Sequence, residues 1–112
     1  MRGLASGRVV IVGDDDAFKK LSGKDGKKIY YFTASWCPPC KQIAPIFEAL
    51  SADYADISFL KVDVDANPDA AVDEKITSVP TFQFVNGQSK VAEFSGADER
   101  TLKDNIMKLQ NA

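Results

Sequence analysis

The only two cysteines of this 112-residue chain stand three apart, in Trp36-Cys37-Pro38-Pro39-Cys40-Lys41, and this stretch constrains the fold more than any other. Two successive prolines do not belong inside a helix or a central strand, because each lacks an amide hydrogen and its ring crowds the preceding turn. They fit the first turn of a helix, whose amides have no intrahelical partner in any case. Cys37 then occupies the N-cap. With no N–H on Pro38 or Pro39, the first free amide of the helix is that of Cys40, placed to donate to the Cys37 sulfur. This hydrogen bond and the positive end of the helix dipole both favour a thiolate, which makes Cys37 the expected nucleophile. Cys40, one turn further in, is expected to be shielded and less acidic, as suits a resolving thiol that attacks a mixed disulfide. Since Pro38 precedes another proline, regular helix is expected only from Pro39.

Other uses of the pair are less suited to the sequence. A structural disulfide closing so short a loop would gain little chain entropy. A closed zinc site needs four ligands, and the chain has two cysteines and no histidine. A metal or iron–sulfur site bridging two chains, each giving two thiolates, would show as colour or bound metal. A Cys-X-X-Cys pair reads as redox-active when it lies near a βαβ pattern, and the surrounding chain supplies one.

Val9 to Val12 is a short β-branched run closed by Gly13, hence a strand. Asp14 to Asp16 offer a cap and negative charge for a helix through Lys20, ended by Leu21 and Ser22-Gly23. Lys24 to Lys28 reads as a charged loop, and Ile29 to Thr33, aromatic and β-branched, as a central strand that delivers the cysteines. Beyond Cys40, apolar Ile43, Ala44, Phe47, Leu50 and Tyr54 recur with helical period, and Pro45 predicts a kink rather than a break. Ser58 to Val64 is a strand, and Asn67-Pro68 starts a helix reaching about Lys75. Thr81 to Val85 and Lys90 to Ser95 form a hairpin around Asn86-Gly87. Asp98 caps a last helix whose Leu102, Ile106 and Leu109 share one face. The order is βαβαβαββα, with a flexible lead-in over residues 1–8 and one domain over residues 9–112. The lead-in is too short for a transit peptide and could be the remnant of one.

At 45% hydrophobic and 27% charged residues, with a net charge of −2 and both signs interspersed, neither nucleic acid nor an anionic membrane surface is indicated as a partner. No apolar run approaches the roughly 18 residues of a membrane span. Two cysteines used as a reactive pair fit a reducing compartment better than a disulfide-stapled secreted scaffold.

The chain resembles the thioredoxin family from about Val9 to Leu109. The resemblance rests on the Trp36 to Lys41 stretch, Pro45, Lys61-Val62-Asp63-Val64-Asp65 with Asn67-Pro68, Ser78-Val79-Pro80-Thr81, Asn86-Gly87 and Gly96-Ala97. It implies an α/β thioredoxin fold, a central mixed sheet of four or five strands flanked by four helices. It also implies a protein disulfide reductase working through a Cys37–Cys40 disulfide, with no bound cofactor and no metal. Thioredoxins are themselves the reference example of a Cys-X-X-Cys thiol lowered to about 7 from about 8.5. A thioredoxin reductase is the implied electron donor, proteins such as peroxiredoxins or reductases the implied targets, and a monomer the implied state. The compartment expected is the cytoplasm, with the mitochondrial matrix as the alternative.

The same resemblance implies a cis bond between Val79 and Pro80, and a shallow groove of Trp36, Pro38, Val79, Pro80, Gly96 and Ala97. There the backbone of Val79 would pair with a substrate chain as an added strand. Pro39, Tyr31 and Lys61 are supporting residues. The chain departs from the family at two positions. Proline stands at Pro38 where thioredoxins usually have glycine, a form similar to tryparedoxins and nucleoredoxins, as is the approach Tyr30 to Ser35. Tyr31 stands where the family buries an aspartate that helps deprotonate the resolving thiol. A phenol is a poor base at neutral pH, so Tyr31 is expected to pack against the helix carrying Cys40. The thiol would then lose its proton through water, or through Lys61 if that side chain faces the same side. The rival from another class is a thioredoxin-fold module that only binds, for which neither cysteine would be needed.

Overall fold

The computed structural model describes residues 8–112, and residues 1–7 of the expected lead-in lie outside them. The architecture grows from a central strand, β2 (Lys27–Thr33), whose aromatic and β-branched residues are buried on both faces. It pairs in parallel with β3 (Ile57–Asp63) and antiparallel with β4 (Thr81–Asn86). Edge strand β1 (Val9–Val12) lies parallel to β3, and β5 (Ser89–Ser95) antiparallel to β4. The result is one five-stranded mixed sheet of order β1-β3-β2-β4-β5. The crossover helices are α1 (Asp15–Ser22), α2 (Pro38–Ser51) and α3 (Pro68–Asp73), and α4 (Glu99–Gln110) closes the chain.

Side chains alternate across a strand, so β2 feeds two cores. Ile29 and Tyr31 join Phe47 of α2, Phe59, Phe82 and the Leu102–Ile106–Leu109 stripe of α4. Tyr30 and Phe32 face the other way, onto Phe18 of α1, Val62 and Ala70 of α3. Each large apolar side chain so buried contributes roughly 1.5–3 kcal/mol. The sheet therefore holds α2 and α4 on one face and α1 and α3 on the other.

Several boundaries differ from the sequence reading, each for a local reason. β2 begins at Lys27, not Ile29. Lys28 is buried in it because its ammonium donates to the carbonyls of Leu21, at 2.9 Å, and Lys24, while burial lowers its pKa against a smaller upward pull from Asp25. α1 runs to Ser22. β3 starts and ends one residue earlier than expected, and Tyr54 lies beyond the end of α2, although its ring still packs on Phe59. α2 continues through Pro45 without a break, as expected, and starts at Pro38 rather than Pro39, the Cα atoms of Cys37 and Cys40 lying 5.3 Å apart, the spacing of one helical turn.

Asn67 stands at the N-cap of α3, as expected, but its side chain makes no capping bond. Its buried amide donates to the carbonyls of Val12 and Asp63, and Asp15 of α1 caps instead, accepting the amides of Asp69 and Ala70 at 3.1 and 2.9 Å. α3 ends at Asp73, before Lys75. The hairpin loop is Gly87-Gln88, with Asn86 paired to Ser89. Gly87 takes φ 66°, which puts the glycine first, as a type II′ turn requires. Asp98 stands at the N-cap of α4, where its carboxylate accepts the Thr101 hydroxyl rather than a backbone amide.

Candidate active site

β2 ends at Thr33, and Ala34-Ser35-Trp36 carry the chain to the cysteines at the start of α2. Cys37 is extended, with φ −104° and ψ 105°, and its Sγ accepts the Cys40 amide at 3.2 Å, the geometry the two prolines dictate. Cys37 and Cys40 form a disulfide. In this form both are buried, 3% and 2% exposed, so shielding does not distinguish them as the sequence suggested. Their surroundings do. Cys37 Sγ receives the helix amide and lies 3.6 Å from the Val79 carbonyl oxygen, whereas Cys40 sits above Tyr31.

The Val79–Pro80 peptide is cis. Ala34, Cys37 and Cys40 form a small buried cluster against which Val79 and Val64 pack. The Gly96 amide donates to the Pro80 carbonyl at 2.9 Å, and Gly96 takes φ 114°, a conformation side chains oppose. The Thr81 hydroxyl fixes the same loop from within, through the Ser78 carbonyl at 2.7 Å and the Ser95 hydroxyl at 2.8 Å. Trp36 is 64% exposed, and its indole Nε1 donates to Asp65 at 2.9 Å. Pro38 and Pro39 are exposed beside it. Ala97, which follows Gly96, packs on the core under α2 and α4. The structure thus gathers Cys37, Cys40, Val79, Pro80 and Gly96, with Trp36 turned outward.

Behind the disulfide, the Tyr31 hydroxyl donates to the Cys40 carbonyl at 2.9 Å, and its ring stacks on Phe82 with centroids 5.0 Å apart. Tyr31 packs against the helix carrying Cys40, as expected. Burial pushes its pKa up, partly offset by the Thr33 hydroxyl. Lys61 lies directly opposite Tyr31 in the β2–β3 register and shares its face of the sheet. A cavity of about 260 Å³ opens there, lined among others by Tyr31, Thr33, Cys40, Lys41, Lys61 and Asp63. Two residues escaped the sequence reading: Asp65, which holds the indole, and Asp63, which faces this cavity. The alternation Lys61-Val62-Asp63-Val64-Asp65 was the available signal, since it sets Lys61 and Asp63 on one face of a strand. Among the described residues no group of three or more His, Cys, Asp or Glu side chains is placed to hold a metal ion.

The thioredoxin family model matches residues 9–108. The chain belongs to the thioredoxin family. It is 45% identical over 102 residues to thioredoxin of Ictalurus punctatus, covering 88% of this chain and 95% of that one. With thioredoxin of Ovis aries it shares 42% over 95 residues, covering 83% and 90%. The crystal structure of Malassezia sympodialis thioredoxin superposes with a TM-score of 0.86 at 34% identity, over 96% of each chain. These relatives do not favour the tryparedoxin-like or binding-only readings. The protein is a thiol–disulfide oxidoreductase, a protein disulfide reductase that acts through the Cys37–Cys40 redox-active disulfide without a bound cofactor. Membership implies a thioredoxin reductase as electron donor and disulfide-containing proteins as targets.

Proposed function

We propose that Cys37 is the attacking thiol and Cys40 the resolving one, and that the loop carrying Val79 and Pro80 holds the substrate chain. The observation that carries this assignment is the Cys40 amide aimed at Cys37 Sγ at 3.2 Å, which stabilises negative charge on Cys37 and not on Cys40. In the reduced protein the Cys37 thiolate attacks one sulfur of a target disulfide and expels the other as a thiolate, leaving a mixed disulfide. Cys40, as a thiolate, then attacks Cys37 Sγ, releasing the second target sulfur and forming the Cys37–Cys40 disulfide. The target gains two electrons and the reductase returns them to the cysteines.

Trp36, Pro38, Val79, Pro80 and Gly96, with Ala97 at the rim, form the docking surface in this reading. An extended target segment adds to the backbone at Val79 as a short strand. The supporting geometry is Val79 against Cys37 and the Gly96–Pro80 bond that braces the loop. Peroxiredoxins and other disulfide-cycling reductases are the target classes proposed. The protein works as a monomer carrying electrons in the cytoplasm, where a reductant pool keeps a reactive dithiol reduced.

Reduction of insulin by dithiothreitol, followed as turbidity, tests the assignment. Cys37→Ser is expected to fall to the uncatalysed rate, and Cys40→Ser to stall as a mixed disulfide. Wild-type turnover in Cys37→Ser would refute it.

A further inference from the structure

Tyr31 leaves the resolving thiol without an adjacent base, yet Cys40 must lose a proton before it can attack. The cavity behind the disulfide is the route by which the structure can supply one. The titratable groups facing it come from three elements: Tyr31 from β2, Cys40 and Lys41 from α2, Lys61 and Asp63 from β3. The Tyr31 hydroxyl is spent as a donor to the Cys40 carbonyl, and burial raises its pKa further. A lysine ammonium has three donors and no lone pair, so Lys41 and Lys61 can stabilise a thiolate without accepting its proton. Asp63 is the one carboxylate lining the cavity.

Asp63 is also held in place. It pairs with Thr33 across the β2–β3 ladder, two residues beyond the Tyr31–Lys61 pair and so on the same face. Its Oδ1 accepts the Asp65 amide at 2.8 Å, and its carbonyl accepts the amides of Ala66 at 3.1 Å and Asn67 at 2.9 Å. The buried Asn67 side chain adds a further bond to that carbonyl at 3.0 Å. The backbone is pinned on both sides while the carboxylate keeps an oxygen for the cavity. At about 30 Å³ per molecule, the cavity has room for a short water relay between Asp63 and Cys40.

We infer that Asp63 accepts the proton of the Cys40 thiol, relayed by water in this cavity, as Cys40 attacks the mixed disulfide. The inference rests on Cys40 being the resolving thiol. In the step, the Cys40 S–H bond breaks and its proton moves through water to the Asp63 carboxylate. The Cys40 sulfur forms the bond to Cys37 Sγ, and the bond from Cys37 to the target sulfur breaks. The target leaves as a thiolate and is reprotonated from Asp63 or solvent. Lys61, across the cavity, stabilises the transient thiolate.

Asp63→Asn removes the base but keeps an oxygen for the Asp65 amide. Reduced wild type and variant are mixed with insulin, quenched with acid and analysed for the mixed disulfide by mass spectrometry from pH 6 to 9. Without a base, resolution is limited to the thiol fraction that ionises alone, about 3% at pH 7 for an ordinary thiol of about 8.5, so the variant is expected to resolve up to about 30-fold more slowly. The deficit should close near pH 9, added imidazole should restore part of it, and formation of the mixed disulfide should be unaffected. A variant profile that matches wild type at every pH, or a loss equal at every pH, overturns the inference. A second variant keeps the test independent of how Asp63→Asn folds: Asp63→Glu retains a carboxylate and should resolve the mixed disulfide faster than Asp63→Asn at pH 7, and equal rates in the two variants overturn the inference. Wild type that formed no mixed disulfide through Cys37 would instead bring down the reductase assignment, and the inference with it.

Discussion

Tyr31→Phe isolates one hydroxyl in an otherwise unchanged core. The ring is 1% exposed, stacked on Phe82 at an interplanar angle of 8° and tilted against Phe47, both at 5.0 Å between centroids. Phenylalanine keeps all of these contacts. What it loses is the 2.9 Å bond to the Cys40 carbonyl. A neutral hydrogen bond of this kind contributes about 0.5–1.5 kcal/mol net, and the cost rises only where the abandoned partner is left unsatisfied. The Cys40 carbonyl lies in the first turn of α2, where the helical pattern already supplies the amide four residues on. The loss should therefore be about 1 kcal/mol or less. For a chain of this size that lowers the melting temperature by about 4 °C, measured by calorimetry or circular dichroism. Activity in insulin reduction should stay within about twofold, and the pH–rate profile should keep its shape, because the phenol neither accepts nor delivers the proton. A hundredfold fall in disulfide exchange with the fold intact would make the hydroxyl part of the proton path and refute this reasoning.

Two further outcomes follow from groups outside the site. The Tyr30 phenol is buried without a protein hydrogen-bond partner among the described residues, and burial, reinforced by the negative charge of Glu74, pushes its pKa up to about 12 from 10. The unfolded chain then ionises first, so it binds fewer protons than the folded one and stability falls as pH rises through 10 to 12. The full shift is worth roughly 3 kcal/mol. Tyr30→Phe should remove that dependence, so urea titrations of variant and wild type should diverge above pH 10. Parallel curves to pH 11 would contradict it. Asp15→Ala removes the acceptor of two α3 amides and should cost about 1–2 kcal/mol, with faster hydrogen exchange at Ala70 and unchanged insulin reduction. An unchanged melting temperature would show that the cap contributes nothing.

Much of this protein can be read from local chemistry. Two prolines between two cysteines leave the Cys40 amide as the first free donor, so the Cys37 cap and the chemistry it favours follow from four residues. The sheet and helix elements follow from period-two and helical repeats wherever the pattern spans a whole element, as in Ile29 to Thr33 or the Leu102–Ile106–Leu109 face. Boundaries were less legible because partners distant in sequence set them. Lys28 reads as a loop cation until the carbonyls of Leu21 and Lys24 receive its ammonium. Asn67 reads as a cap until α1 and α3 meet on one face of the sheet and Asp15 takes that role.

The active site divides along the same line. Which residues carry the sulfur chemistry was determined by the sequence, because capping, proline restriction and thiol spacing act within a single turn of chain. What surrounds the sulfurs was decided by the tertiary structure. Only β-sheet register sets Lys61 and Asp63 beside Tyr31, and only the packing of the β5 and β4 ends brings Gly96 to Pro80 and Val79 to Cys37. Contacts 16 to 42 residues apart depend on strand order and on how two layers of helices clasp the sheet, quantities that no local propensity encodes.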